Sequence, residues 1–197
     1  MHARRLPARH GFLWLVAGFR LFRANPPLLS ALTLGYLFLV IALNLLPQVG
    51  PFLVPLALPT LVTVVANGCR AIEQGRPAEG NALTFGLQAH RVALVRLGGL
   101  QLLGSMAILA VSTIVEGGHV SFLAADGTVD EDEMLATMLR LLVVALPVMM
   151  AFWFAPLLTA WDGVPAAKAV FFSFFASISN WRAFLVYAAS EIGRAHV

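Results

Sequence analysis

Thr60, Thr63 and Asn67 recur at helical spacing inside one apolar run, Gln101, Ser105 and Ser112 inside another, and Asn44 closes a third. Hydroxyl and amide groups so placed could line the path of a small solute. Hydrogen bonding between helices is the simpler use of a polar side chain surrounded by lipid. Catalysis would need a nucleophile held beside a base, or a metal with an open coordination position, and neither pattern is recognisable. His119, beside the acidic residues of the segment Glu116 to Glu133, could join a divalent-metal site, although loops of this composition are far more often simply solvated. His90 and Arg91 suit contact with lipid headgroups better than chemistry. The single cysteine, Cys69, excludes an internal disulfide and a cysteine metal cluster. The chain is therefore expected not to be an enzyme and to use no metal or cofactor.

The elements that would position these residues are membrane spans. The runs at about 28–46, 52–69, 97–115 and 141–161 contain no Asp, Glu, Lys, Arg or His, and each has the roughly 17 to 25 residues that cross a hydrocarbon core. With 59% hydrophobic and 12% charged residues, the composition lies far from that of a soluble domain, in which about a quarter of residues are charged. Proton-coupled and voltage-driven devices place ionisable groups within spans; these four runs have none. The basic residues do not form the single stripe that would suggest nucleic acid. Arg4, Arg5, Arg9, Arg20 and Arg23 precede the first run, Arg70, Arg76, Arg91 and Arg96 separate the second from the third, and Lys168 and Arg182 follow the fourth. The segment Glu116 to Glu133 has six acids and no Lys or Arg. Eleven of thirteen basic residues thus share one side, leaving Arg140 and Arg194, and the positive-inside rule makes that side, with the amino terminus, cytoplasmic.

Residues 1 to 25 could be a signal peptide, but Arg20 and Arg23 follow the apolar stretch directly and no small-residue cleavage site is present. Phe12, Leu15, Phe19 and Phe22 at helical spacing, with Arg9, Arg20 and Arg23 on another sector, instead fit a helix lying on the cytoplasmic leaflet. Asn25-Pro26-Pro27 starts the first span, and Pro47 to Pro51 forms a tight hairpin. Pro55 and Pro59 are expected to kink the second span. Asn81 to Arg91 reads as a short amphipathic helix. Gly98, Gly99, Gly104 and Ser105 form a close-packing face on the third span. Thr128 and Glu131 have capping-box spacing before the fourth, which contains Pro147 and Pro156 and ends at the interfacial Trp161. Pro165 to Ile178 is expected to be a surface or re-entrant helix.

Two repeats are visible, each of which chance similarity between apolar segments would also produce. One is the order surface helix, hinge, span, starting near Gly11, Asn81 and Pro165. The other pairs Gly75-Arg76-Pro77-Ala78 with Gly163-Val164-Pro165-Ala166, Pro59-Thr60-Leu61 with Pro156-Leu157-Leu158, and Phe85 with Phe175. A fifth span begins at Ala183, and eight residues to Ser190 cannot cross a bilayer at about 1.5 Å each. Residues 191–197 look like the in-frame translation of a widely used short-read sequencing adapter. They are expected to be a non-native tail on a single membrane domain, residues 1–190, whose native frame continues past Ser190.

The segments Phe22 to Pro27, Leu46 to Pro51 with Leu58-Pro59, and Gly75 to Gln88 resemble an uncharacterised family of bacterial polytopic inner-membrane proteins. More distantly, the pattern of amphipathic helix, proline hairpin and span is similar to the membrane domain of some glycerophosphodiester phosphodiesterases. Neither resemblance transfers catalytic residues. The expected fold is an all-α membrane protein, a polytopic helical bundle with proline-kinked spans and short interfacial helices. Its expected role is a non-enzymatic membrane-organising or accessory subunit, with a permease or channel for a small solute or lipid as the alternative. Thr60, Thr63, Asn67, Gln101 and Ser105 are the candidate solute-path or packing residues. Arg20, Arg23, Arg76, Arg91 and Arg96 would meet anionic headgroups, or serve orientation alone. Partners would be the lipid bilayer and another membrane protein or a second copy, not nucleic acid.

Overall fold

The computed structural model describes residues 5–77, 79–115 and 131–194, and every regular element among them is a helix. The expected site at His119 and the cap at Thr128 lie outside the described residues, as do residues 195–197. Helix α1 (His10–Ala24) ends at Asn25, whose Oδ1 accepts from the Leu28 amide at 3.2 Å and so caps α2 (Pro26–Asn44). Pro26 and Pro27 occupy first-turn positions where a missing N–H costs nothing. The proline hairpin is closed by the Gly50 amide donating to Leu46 O at 2.9 Å. From it, α3 (Gly50–Glu73) runs as one helix through Pro55 and Pro59.

α3 ends at Gly75, which takes a left-handed φ of 62°. After it comes α4 (Gly80–Leu83), a single turn. The helix expected over Asn81 to Arg91 does not form. Gly86 adopts φ 76° and lies against the carbonyl of Ala160, a conformation that terminates a right-handed helix and is open to glycine. α5 (Arg91–Val115) therefore starts six residues before the uncharged run. It crosses α3 at Gly98, where an added Cβ would lie 2.6 Å from the Leu56 carbonyl oxygen, and it faces Val148 and Phe152 of the next helix at Gly104. Gly98 and Gly104 thus serve two neighbours, since absent side chains let backbones approach, whereas a Cβ at Gly99 would meet open space.

The fourth span is broken into α6 (Glu131–Trp153) and α7 (Ala155–Asp162). Gly163 ends α7 at φ 65°, matching the device at Gly75. The likeness between the two segments stops there, for α4 has four residues and α8 (Ala166–Ser179) has fourteen. α8 doubles back along α7 and α6, burying Ala166, Ala169, Ser173 and Ser177. Ala166 and Ala169 join Leu97, Ala155 and Val164 in the core. α8 is therefore packed into the bundle rather than laid on its surface, in an arrangement that fits a re-entrant loop or one half of a broken span. α9 (Trp181–Arg194) bends away from α8 by 73°, and the two together are long and apolar enough for one broken span. α9 packs on α1, with Gly11 against the Ala183 carbonyl and Trp14 edge-on to Phe184 at 5.4 Å.

α2, α3, α5 and the joined α6–α7 are each long and apolar enough to cross a membrane. Phe38 is 70% exposed, Leu109 69%, Ile114 79% and Val143 70%. Large apolar side chains turned outward all along the spans are stable in hydrocarbon, where helices satisfy their own backbone groups. The protein is an all-α integral membrane bundle.

Candidate functional site

The polar side chains of α3 point to different ends. Thr60 is exposed, whereas Thr63 is fully buried and its Oγ1 donates to Pro59 O one turn back at 2.7 Å. Asn67, buried as well, reaches out of its helix. Its Nδ2 donates to Leu83 O at 2.8 Å and to Phe85 O at 3.0 Å, and its Oδ1 accepts from the Trp161 indole N–H at 2.8 Å. Both amide protons and one oxygen lone pair are engaged. One side chain thereby ties α3 to the end of α4, to the segment that follows it and to the end of α7.

Arg70 lies one turn further on. Its guanidinium carbon stands 5.0 Å from the centroid of the Phe85 ring and 4.9 Å from that of Trp161. Rings that approach a cation this closely attract it through their quadrupoles. Asn67 holds both partners, Phe85 by its carbonyl and Trp161 by its indole N–H. Beside the stacked guanidinium is a cavity of about 70 Å³ lined by Asn67, Arg70, Gln74, Arg76, Ala82 and Phe85 among others. The Arg76 amide donates to Ala71 O at 2.9 Å, folding the chain back over the end of α3.

Of the other basic residues expected at headgroups, Arg20, Arg23, Arg91 and Arg96 are exposed, and none lines this cavity. On α5, Gln101 and Ser105 are half-buried, and the Ser105 hydroxyl donates to Gln101 O at 3.1 Å. No hydrogen bond joins them to Thr63 or Asn67 among the described residues. His90 packs its ring on Gly163. The described residues contain no group of three metal-ligating side chains.

A second polar joint occurs where α6 and α7 part. In an unbroken helix the Phe154 amide would donate to Met150 O. Here it donates to Ser173 Oγ at 2.9 Å, and Ser173 Oγ donates to Met150 O at 3.0 Å. Ser177 Oγ adds a second donor to the same carbonyl at 3.1 Å. Two hydroxyls of α8 are inserted into the ladder, one of the identifiable causes of a helix break, next to Pro156, which has no N–H of its own. In α6, Arg140 pairs with Glu133 at 2.7 Å, so this cation, one of the two outside the basic side, has an acid beside it.

The chain is 32% identical, over 200 aligned positions, to a probable inner membrane protein of Burkholderia thailandensis; the alignment covers 95% of this chain and 74% of that protein. No family model matches, and no solved structure does.

Proposed function

This chain belongs to the same family of inner-membrane proteins as that Burkholderia protein, and from that premise we propose that it acts without catalysis, as a membrane-organising or accessory subunit. The observation that carries this reading is the use made of polar groups inside the bundle. Thr63, Asn67, Ser173 and Ser177 all bond to backbone atoms of the chain itself. Asn67, Ser173 and Ser177 bond across helices and Thr63 within its own, and the outward faces are left apolar, suited to lipid, to another membrane protein or to a second copy.

In this reading the amino terminus is cytoplasmic, and Arg20, Arg23, Arg76, Arg91 and Arg96 meet anionic headgroups. Each such cation contributes about 1 kcal/mol of attraction near the surface. The stripe Phe12, Phe19 and Phe22, left exposed by the packing of α1 on α9, enters the leaflet beside them.

The test is flux in proteoliposomes. The wild-type chain and its Thr63→Val and Gln101→Leu variants are expected to give no uptake above empty vesicles across a panel of small solutes. Wild-type uptake that a folded Gln101→Leu variant abolishes would replace this reading with a permease.

A further inference from the structure

We propose that Arg70, with Gln74 and Arg76, forms a binding site for a phosphate group, either that of an anionic phospholipid or a free phosphate from the aqueous phase. This goes beyond the packing role above and stands independently of it.

Arg70 is half-buried, and among the described residues its guanidinium has neither a hydrogen bond nor a salt bridge. Glu73, three residues on, is exposed and does not pair with it. The Phe85 and Trp161 rings attract the cation, at 5.0 and 4.9 Å, but they cannot accept its N–H groups as oxygen would. A partly desolvated guanidinium without an anion is costly. Holding it between two rings while its N–H edge stays free is the arrangement that recognises a planar or tetrahedral oxyanion, since arginine presents fixed, forked donors.

Three further features make this a built site. The adjoining cavity of about 70 Å³ has room for a phosphate group, and Gln74 and Arg76 line it beside Arg70. Asn67 fixes both stacking partners through bonds of 2.8 to 3.0 Å, so the guanidinium is oriented before any ligand arrives. Finally, the site lies at the end of a span, where Gly75 and Arg76 turn the chain and where headgroups are found.

The experiment uses the full chain in detergent. Short-chain phosphatidylglycerol, short-chain phosphatidylcholine and inorganic phosphate are titrated separately, with bound lipid followed by native mass spectrometry and phosphate by calorimetry. Arg70→Gln is expected to weaken phosphatidylglycerol or phosphate binding by at least about tenfold, the loss of a hydrogen-bonded charged partner. Arg76→Gln is expected to weaken it several-fold, and Arg140→Gln, whose guanidinium pairs with Glu133 away from the cavity, to leave it unchanged. Phosphatidylglycerol binding that millimolar phosphate does not displace identifies the lipid; phosphate binding that depends on Arg70 identifies the soluble source. Should Arg70→Gln fail to fold, the exposed Arg76 decides. Failure of the wild type to bind either anionic probe, or wild-type affinity in both Arg70→Gln and Arg76→Gln, overturns the proposal.

Discussion

Replacing Asn67 by leucine is expected to destabilise the solubilised protein by about 3 kcal/mol, the sum of several polar groups left buried without partners. The Leu83 and Phe85 carbonyls lose a donor, and the Trp161 indole N–H loses its acceptor. Intrahelix bonds cannot replace these, because the residues after Leu83 do not continue a helix. Hydrogen bonds between membrane helices average only about 0.6 kcal/mol, since the unfolded chain also finds partners in lipid. The expected value is larger here because one substitution breaks three bonds at once. Thermal unfolding followed by helical circular dichroism measures it. Trp161→Phe should cost about 1 kcal/mol, and its effect should largely vanish in the Asn67→Leu background, as residues of one network are not additive. Additive losses would mean that the two side chains do not share a bond.

The second large effect is expected at the break between α6 and α7. Ser173→Ala with Ser177→Ala removes the acceptor of the Phe154 amide and both hydroxyl donors to Met150 O. Two outcomes compete. The orphaned groups could stay apart, costing about 1 to 3 kcal/mol each, or Phe154 could close its bond to Met150 and straighten the span. Straightening would drag α7 from α3, to which Trp161 is tied by Asn67, so the loss of stability should dominate. The single variant Ser173→Ala should cost less than the pair, because Ser177 still serves Met150 O. Equal unfolding midpoints for the double variant and the wild type would show that the hydroxyls are incidental to the break.

The spans were legible because uncharged runs and prolines act locally. Asn25 caps where a cap was expected, and the proline hairpin turns where its residues require. The helices run past several ends of the uncharged runs into polar residues, to Glu73 in α3 and from Arg91 in α5, and α6 starts at Glu131, ten residues before its run, whereas α2 stops at Asn44. The insertion of α8 was harder to read. Phe171 and Phe175, in the segment expected to be a surface or re-entrant helix, do remain exposed, while the buried stripe consists of Ala and Ser at three- and four-residue spacing, a quiet signal beside so many phenylalanines. The spacing of Ala166, Ala169, Ser173 and Ser177 could have revealed it, because small residues permit close helix contact. Trp161 looked like an interfacial aromatic, yet it bonds to a residue 94 positions away. Arg70 entered the charge count alone. Its stacking between Phe85 and Trp161 depends on contacts that no local pattern encodes.

The polar side chains inside the spans are bonded within the bundle rather than lining a water-filled path. The most direct test of this is thiol accessibility in sealed membranes, with Cys69 replaced by alanine and single cysteines introduced by Thr63→Cys, Gln101→Cys, Ser105→Cys and, as an exposed control, Arg76→Cys. The control is expected to react with a membrane-impermeant maleimide from one side, while the three span positions stay unlabelled from both sides. Rapid labelling of the span positions from the aqueous phase would contradict the account.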